Sequence, residues 1–104
     1  MSQFINIDKT MIPYTLDIRL NNITYTMEFN YNSRHDFFTV GITTPDGTVL
    51  TSGEKLILDK GILSERPYVN FPLVKPVDNT GNAQRITWAN FNKTIFLYTG
   101  GANE

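Results

Sequence analysis

The chain has 104 residues, nine Lys and Arg against ten Asp and Glu, a formal net charge of −1, one histidine and no cysteine. Charges scattered in near balance leave no basic stripe for phosphate neutralisation, which excludes that mode of nucleic-acid binding. The missing thiols exclude disulfides, thiolate metal sites and thiol nucleophiles, and a lone histidine excludes sites built from several imidazoles.

A chain of this length makes one domain that buries roughly two-thirds of its unfolded surface. No apolar run reaches ten residues, so neither a secretory signal nor a membrane span is expected, and the chain is expected to be made and assembled in a cytoplasm. The domain is read as 1–104, with 1–13 an N-terminal arm and 100–104 a flexible tail. In the arm, Phe4, Ile5 and Ile7 precede Asp8-Lys9-Thr10, too few residues for a helix with a useful buried face. A short strand over Phe4 to Ile7 fits, lying on its own domain as termini usually do or reaching a neighbouring subunit.

From Tyr14 to Leu50 the alternation is clean. Leu16, Ile18 and Leu20 alternate with Thr15, Asp17, Arg19 and Asn21, and Ile23, Tyr25, Met27, Phe29 and Tyr31 alternate with Thr24, Thr26, Glu28 and Asn30. A period of two predicts strands with one buried and one wet face. Asn21-Asn22 tolerates the positive φ of a type I′ hairpin. A third strand, Phe37 to Thr44, follows the turn 32–36 and ends at Pro45-Asp46-Gly47. The next strand runs from Thr48 to Leu58 with a break at Ser52-Gly53, predicted to be a bulge or corner that bends the sheet. Ile62-Leu63 reads as a strand start or a short helical turn.

Between Ser64 and Arg85, Pro67, Pro72 and Pro76 remove ladder donors and forbid an ordinary central strand, yet Tyr68, Val69, Phe71, Leu73, Val74 and Val77 are too apolar for a linker. The expectation is an extended segment packed over the core or covered by a partner. Ile86 to Asn90 and Thr94 to Thr99 are predicted as closing strands around a turn at Phe91-Asn92-Lys93. Ile95-Phe96-Leu97-Tyr98 is apolar throughout, so that strand is either central or meets another chain. The fold class is therefore all-β: a small antiparallel β-barrel or barrel-like sandwich of about 6–7 strands with a proline-rich extended segment.

Chemistry is sparse. His35 and Asp36 are sequence neighbours on a turn and point apart, which suits a solvated turn better than a catalytic base. Asp17 and Glu28 fall on wet faces of adjacent strands and read as a solvated sheet face. Trp88, Tyr68, Phe71 and Phe37 could form a stacking platform, but aromatics in a small β domain more often serve core and interface. No phosphate-binding glycine loop is present in the sequence. Residue chemistry points to no enzyme, no cofactor and no metal.

The order of features resembles the cyanophage-type baseplate plug family of small bacteriophage tail proteins. The likeness is carried by Tyr14-Thr-Leu-Asp-Ile-Arg-Leu, Ile23-Thr-Tyr-Thr-Met-Glu-Phe-Asn-Tyr, Phe37-Phe-Thr-Val-Gly-Ile, Asp46-Gly47-Thr-Val-Leu and the spaced Gly53 and Leu56, then more loosely by Trp88, Phe91 and Thr94 to Tyr98. The resemblance implies a non-catalytic structural component of the virion tail baseplate, assembled in the host cytoplasm. It would plug or line the end of the tail tube at the central hub, with hub and tail-tube proteins as partners and several copies in the assembly. It implies no specific nucleic-acid binding, no cofactor and no catalytic residue. Such a component needs interfaces of roughly 800 Å² per partner, for which Arg34, Phe37, Tyr68, Phe71, Phe96 and Tyr98 are the candidates. The alternative is a small-ligand or carbohydrate-binding β module centred on Trp88, and a hydrolase accessory domain would need Asp17, Glu28 or His35 to converge.

Overall fold

The computed structural model describes residues 4–66, 69 and 71–99. Tyr68 and the tail 100–104 lie outside the described residues. Those described form seven strands and one 3-10 turn: β1 (Phe4–Ile5), the turn Lys9–Met11, β2 (Tyr14–Leu20), β3 (Ile23–Asn32), β4 (Phe37–Thr43), β5 (Val49–Lys55), β6 (Val74–Asp78) and β7 (Ile95–Thr99). Two antiparallel sheets result, ordered β2-β3-β4-β5 and β1-β7-β6. Their ladders do not join into a closed barrel. The buried faces share one core, so the architecture is the barrel-like sandwich.

The first sheet is the predicted meander. Asn21 and Asn22 adopt φ of 51° and 67°, the left-handed pair that a type I′ turn requires, and set the register from Leu20↔Ile23 to Tyr14↔Phe29. Beyond it, Met27↔Ile42 and Phe29↔Val40 place fully buried side chains opposite each other between β3 and β4. Ser52 and Gly53 together oppose Gly41, because the register moves from Val40↔Glu54 to Ile42↔Thr51. The predicted bulge is therefore present, and it brings a β5 carbonyl close to β4: a Cβ on Gly41 would lie 3.1 Å from the Ser52 oxygen.

The second sheet takes its strands from distant parts of the chain. β7 is central, with Phe4↔Tyr98 on one side and Lys75↔Tyr98 on the other. Its alternation is regular, Ile95 and Leu97 being wholly buried and Phe96 and Tyr98 half-buried. The arm thus lies on its own domain, where Ile5 and Ile7 enter the core. β6 contains Pro76 and sits at an edge, the position where a missing N–H costs least.

One predicted strand is absent: residues 86–90 turn instead of pairing. Thr87 N donates to Asn90 Oδ1 at 2.8 Å and Asn90 N donates to Thr87 Oγ1 at 3.3 Å, a reciprocal side-chain closure that satisfies the backbone locally and displaces a ladder. Ile62-Leu63 forms a turn, in which Leu63 has φ 63° and its N–H donates to the Glu54 carboxylate at 2.9 Å.

Candidate interaction surface

Three places on the molecule gather side chains beyond what the core needs. The first is the outer face of the β1-β7-β6 sheet. Register puts Phe4 opposite Tyr98, and alternation along β7 puts Phe96 on the same side. The rings meet: Phe4 lies 4.7 Å from Phe96 and 5.9 Å from Tyr98, and Phe96 lies 6.4 Å from Tyr98 in an edge-on arrangement. Phe4 remains 48 % exposed, an uncommon state for a phenylalanine in a cluster. Tyr98 also has a fixed polar end, its hydroxyl donating to Asn79 Oδ1 at 2.7 Å. An aromatic patch with one tethered hydroxyl suits protein contact, since large rigid rings bury much area at small entropic cost.

The second is a junction around Asp36, held at φ 57° in the β3–β4 turn. Its Oδ1 accepts from Tyr31 Oη at 2.6 Å and from Trp88 N at 2.9 Å. Arg85 Nη2 lies 3.3 Å from Oδ2, and Arg85 Nη1 donates to the Asp36 main-chain oxygen at 2.8 Å. The Tyr31 hydroxyl, followed by the Trp88 amide, holds the Asp36 carboxyl below its ordinary value, and the same bond raises Tyr31. Trp88 covers the junction. Its ring centre lies 4.8 Å from Tyr31 and 5.9 Å from Phe38, nearly parallel to the latter, and the Lys9 ammonium sits 5.2 Å from its centre. Lys9 Nζ also donates to the Trp88 carbonyl. Desolvation, then the neighbouring charge of Lys93, lowers the Lys9 pKa. This arrangement pins the arm and the 85–91 loop onto the end of the meander, and its geometry is that of a clasp.

The third is the wet face of the meander, where Thr15, Thr26, Glu28, Gly41, Thr43, Val49, Thr51 and Ser52 line a shallow groove of about 350 Å³. Thr26 Oγ1 donates to Asp17 Oδ1 at 2.9 Å. Among the described residues no group of three His, Cys, Asp or Glu is placed to hold a metal ion.

The six sequence-derived interface residues thus separate. Phe96 and Tyr98 come together in the aromatic patch. Phe71 packs edge-on against Tyr25 at 5.0 Å and joins the rim of the core. Phe37 is half-buried with the Lys55 ammonium 4.8 Å from its ring centre, and Arg34 is exposed on the same turn. Tyr68 lies outside the described residues. Of the rings considered as a stacking platform, Trp88, Phe71 and Phe37 each engage different partners. Sequence reasoning missed Phe4 as a patch member, although its alternation with Ile5 and Ile7 carried the signal. It also missed the Asp36 clasp, whose partners Arg85 and Trp88 stand far along the chain with no local pattern to mark them.

Comparison with known proteins adds one finding. The family described as "Cyanophage baseplate Pam3 plug gp18" matches residues 2–102, nearly the whole chain. Among curated proteins none matches.

Proposed function

The chain belongs to the cyanophage baseplate plug family, and from that premise we propose that it is a non-catalytic structural part that closes or lines the end of the tail tube at the central hub. The family places it among baseplate components. What supports the finer reading is the aromatic patch of Phe4, Phe96 and Tyr98, the surface best suited to lasting contact with a hub or tube protein. A plug must also resist being deformed while it is held. The clasp at Asp36 serves that need by tying arm, loop and meander into one body. In this reading several copies share the assembly.

The test is complementation of a phage lacking this gene with the Phe4→Ser/Phe96→Ser double variant. Both side chains lie on the outer face and neither is fully buried, so the purified variant should remain folded with a thermal midpoint lowered by about 5–15 °C. Its recovery in purified baseplates should fall about tenfold or more, the loss expected when a hot-spot pair is removed. Absence of the wild-type chain from baseplates, or normal recovery of the folded variant, would sink the reading.

A further inference from the structure

The two sheets have four edge strands, and three of them are blunted in physically recognisable ways. β1 is two residues long. β6 carries Pro76, and its carbonyls at Val74 and Pro76 already accept from Ile62 N and Asp59 N, both at 2.8 Å. β5 shifts register twice against β4, and Arg66 Nη1 donates to the Leu50 carbonyl at 3.0 Å. β2 has none of these protections. It runs seven residues in unbroken register with β3, and among the described residues no hydrogen bond from outside β3 reaches its backbone.

The direction of its free groups follows from the hairpin. A two-residue turn makes Leu20↔Ile23 a hydrogen-bonded pair, so the alternation of an antiparallel ladder aims the N–H and C=O of Thr15, Asp17 and Arg19 away from β3. Apolar cover is also incomplete along this edge. Leu16 and Ile18 are half-buried on the inner side, whereas Met27, Phe29, Val40 and Ile42 on the next two strands are fully buried.

We propose that β2 pairs antiparallel with β2 of a second copy, about an axis at Ile18. In that register Ile18 faces its own equivalent, Leu16 faces Leu20 of the second copy, and Asp17 and Arg19 face each other twice across the seam. Charge selects it. A slip of one residue would set wet side chains over the core. An axis at Asp17 opposes two carboxylates, an axis at Arg19 opposes two guanidinium groups, and an axis at Leu16 sets Arg19 against Pro13, which has no N–H. The pairing joins two meanders into one continuous sheet and covers the exposed flanks of Leu16 and Ile18. It gives a surface to the oligomeric part of the reading above. It does not depend on the baseplate assignment, because self-association of the purified chain and recovery in baseplates are measured separately.

The test is the mass of the purified full-length chain by sedimentation velocity over a concentration series, with amide exchange followed in parallel. The wild type should dimerise, and the Thr15, Asp17 and Arg19 amides should gain protection as it does. Asp17→Lys and Arg19→Asp should each weaken the dimer about tenfold or more, since each turns two attractive pairs into repulsive ones. The exchanged variant Asp17→Arg/Arg19→Asp should restore the dimer to within about threefold, which no merely structural role of these exposed residues would do. Asp17→Pro, which removes an outward N–H together with the Asp17 carboxylate but no bond to β3's backbone, should give a folded monomer. A chain that stays monomeric, a dimer indifferent to Asp17→Lys, or an exchanged variant that does not recover would each overturn the proposal.

Discussion

The two sheets of this domain are made of similar residues and were built by different means. In the meander every strand pairs with its sequence neighbour through a short turn, so the register is written locally by Asn21-Asn22, Asp36 and Gly47. In the β1-β7-β6 sheet the central strand pairs with the start of the described chain on one side and with a proline-bearing strand on the other. Nothing local sets that register. It is set by the meander's apolar face, against which Ile5, Val74, Ile95 and Leu97 must fit, and by the side chains that close the loops between. A sheet of local hairpins can precede its core, whereas a sheet of distant strands depends on one.

If the second sheet rests on the first, the largest effect should come from the meander's centre. Phe29→Ala removes a wholly buried ring between β2 and β4 and should cost about 3–5 kcal/mol, read as a lower urea midpoint with both sheets lost in one transition. Ile5→Ala, in the two-residue strand, should cost about 2–4 kcal/mol. That loss should be local: hydrogen exchange should quicken first in β1 and β7 while β3 and β4 stay protected. Equal loosening of both sheets would show that neither precedes the other. Asn22→Ala puts a Cβ residue with no local hydrogen-bonding side chain at φ 67° and should cost about 1 kcal/mol, through the meander's turn alone.

The smallest effect is a pH dependence that divides between the regions. Asp46 serves the meander's β4–β5 turn, Asp78 serves the loop after β6, Asp36 ties the β3–β4 turn to the 85–91 loop, and all three carboxyls are held below their ordinary value. Hydrogen bonds do this: chiefly from the Thr44 hydroxyl to Asp46, the Ala83 amide to Asp78 and the Tyr31 hydroxyl to Asp36. A lowered folded value means that the unfolded chain takes up protons first. The stabilisation is therefore complete above about pH 4–5 and is lost as the pH falls through the ordinary carboxylate range toward the lowered values. Asp36→Asn should flatten that acid slope and quicken exchange in residues 85–91 and the β3–β4 turn while leaving the protection of the β2–β3 hairpin unchanged. A slope unaltered by this substitution would remove Asp36 from the account.

The same contrast explains what could be read from the sequence. Alternation and turn residues delivered β2, β3, β4 and the Ser52-Gly53 bulge, because each is decided by residues within a few positions of one another. Four apolar residues in a row marked β7 as unusual, and with it Phe96 and Tyr98 in the candidate surface. What failed was distant or competitive. Residues 86–90 looked strand-like until Thr87 and Asn90 closed on each other. Phe4 gained meaning only opposite Tyr98, and Asp36 looked like any turn aspartate until Arg85 and Trp88 arrived from the far side of the chain.

Trp88 is the chain's only tryptophan, and it stands where the arm's Lys9, the meander's Tyr31 and Phe38 and the main-chain amide bond to Asp36 converge. That gives the protein a built-in optical reporter. The indole emission is confined to one site, Tyr31 at 4.8 Å is close enough to pass its excitation to it, and a cation and a carboxylate flank it. A change in the colour or intensity of its fluorescence in the purified chain therefore signals the opening of this one junction without any label being attached.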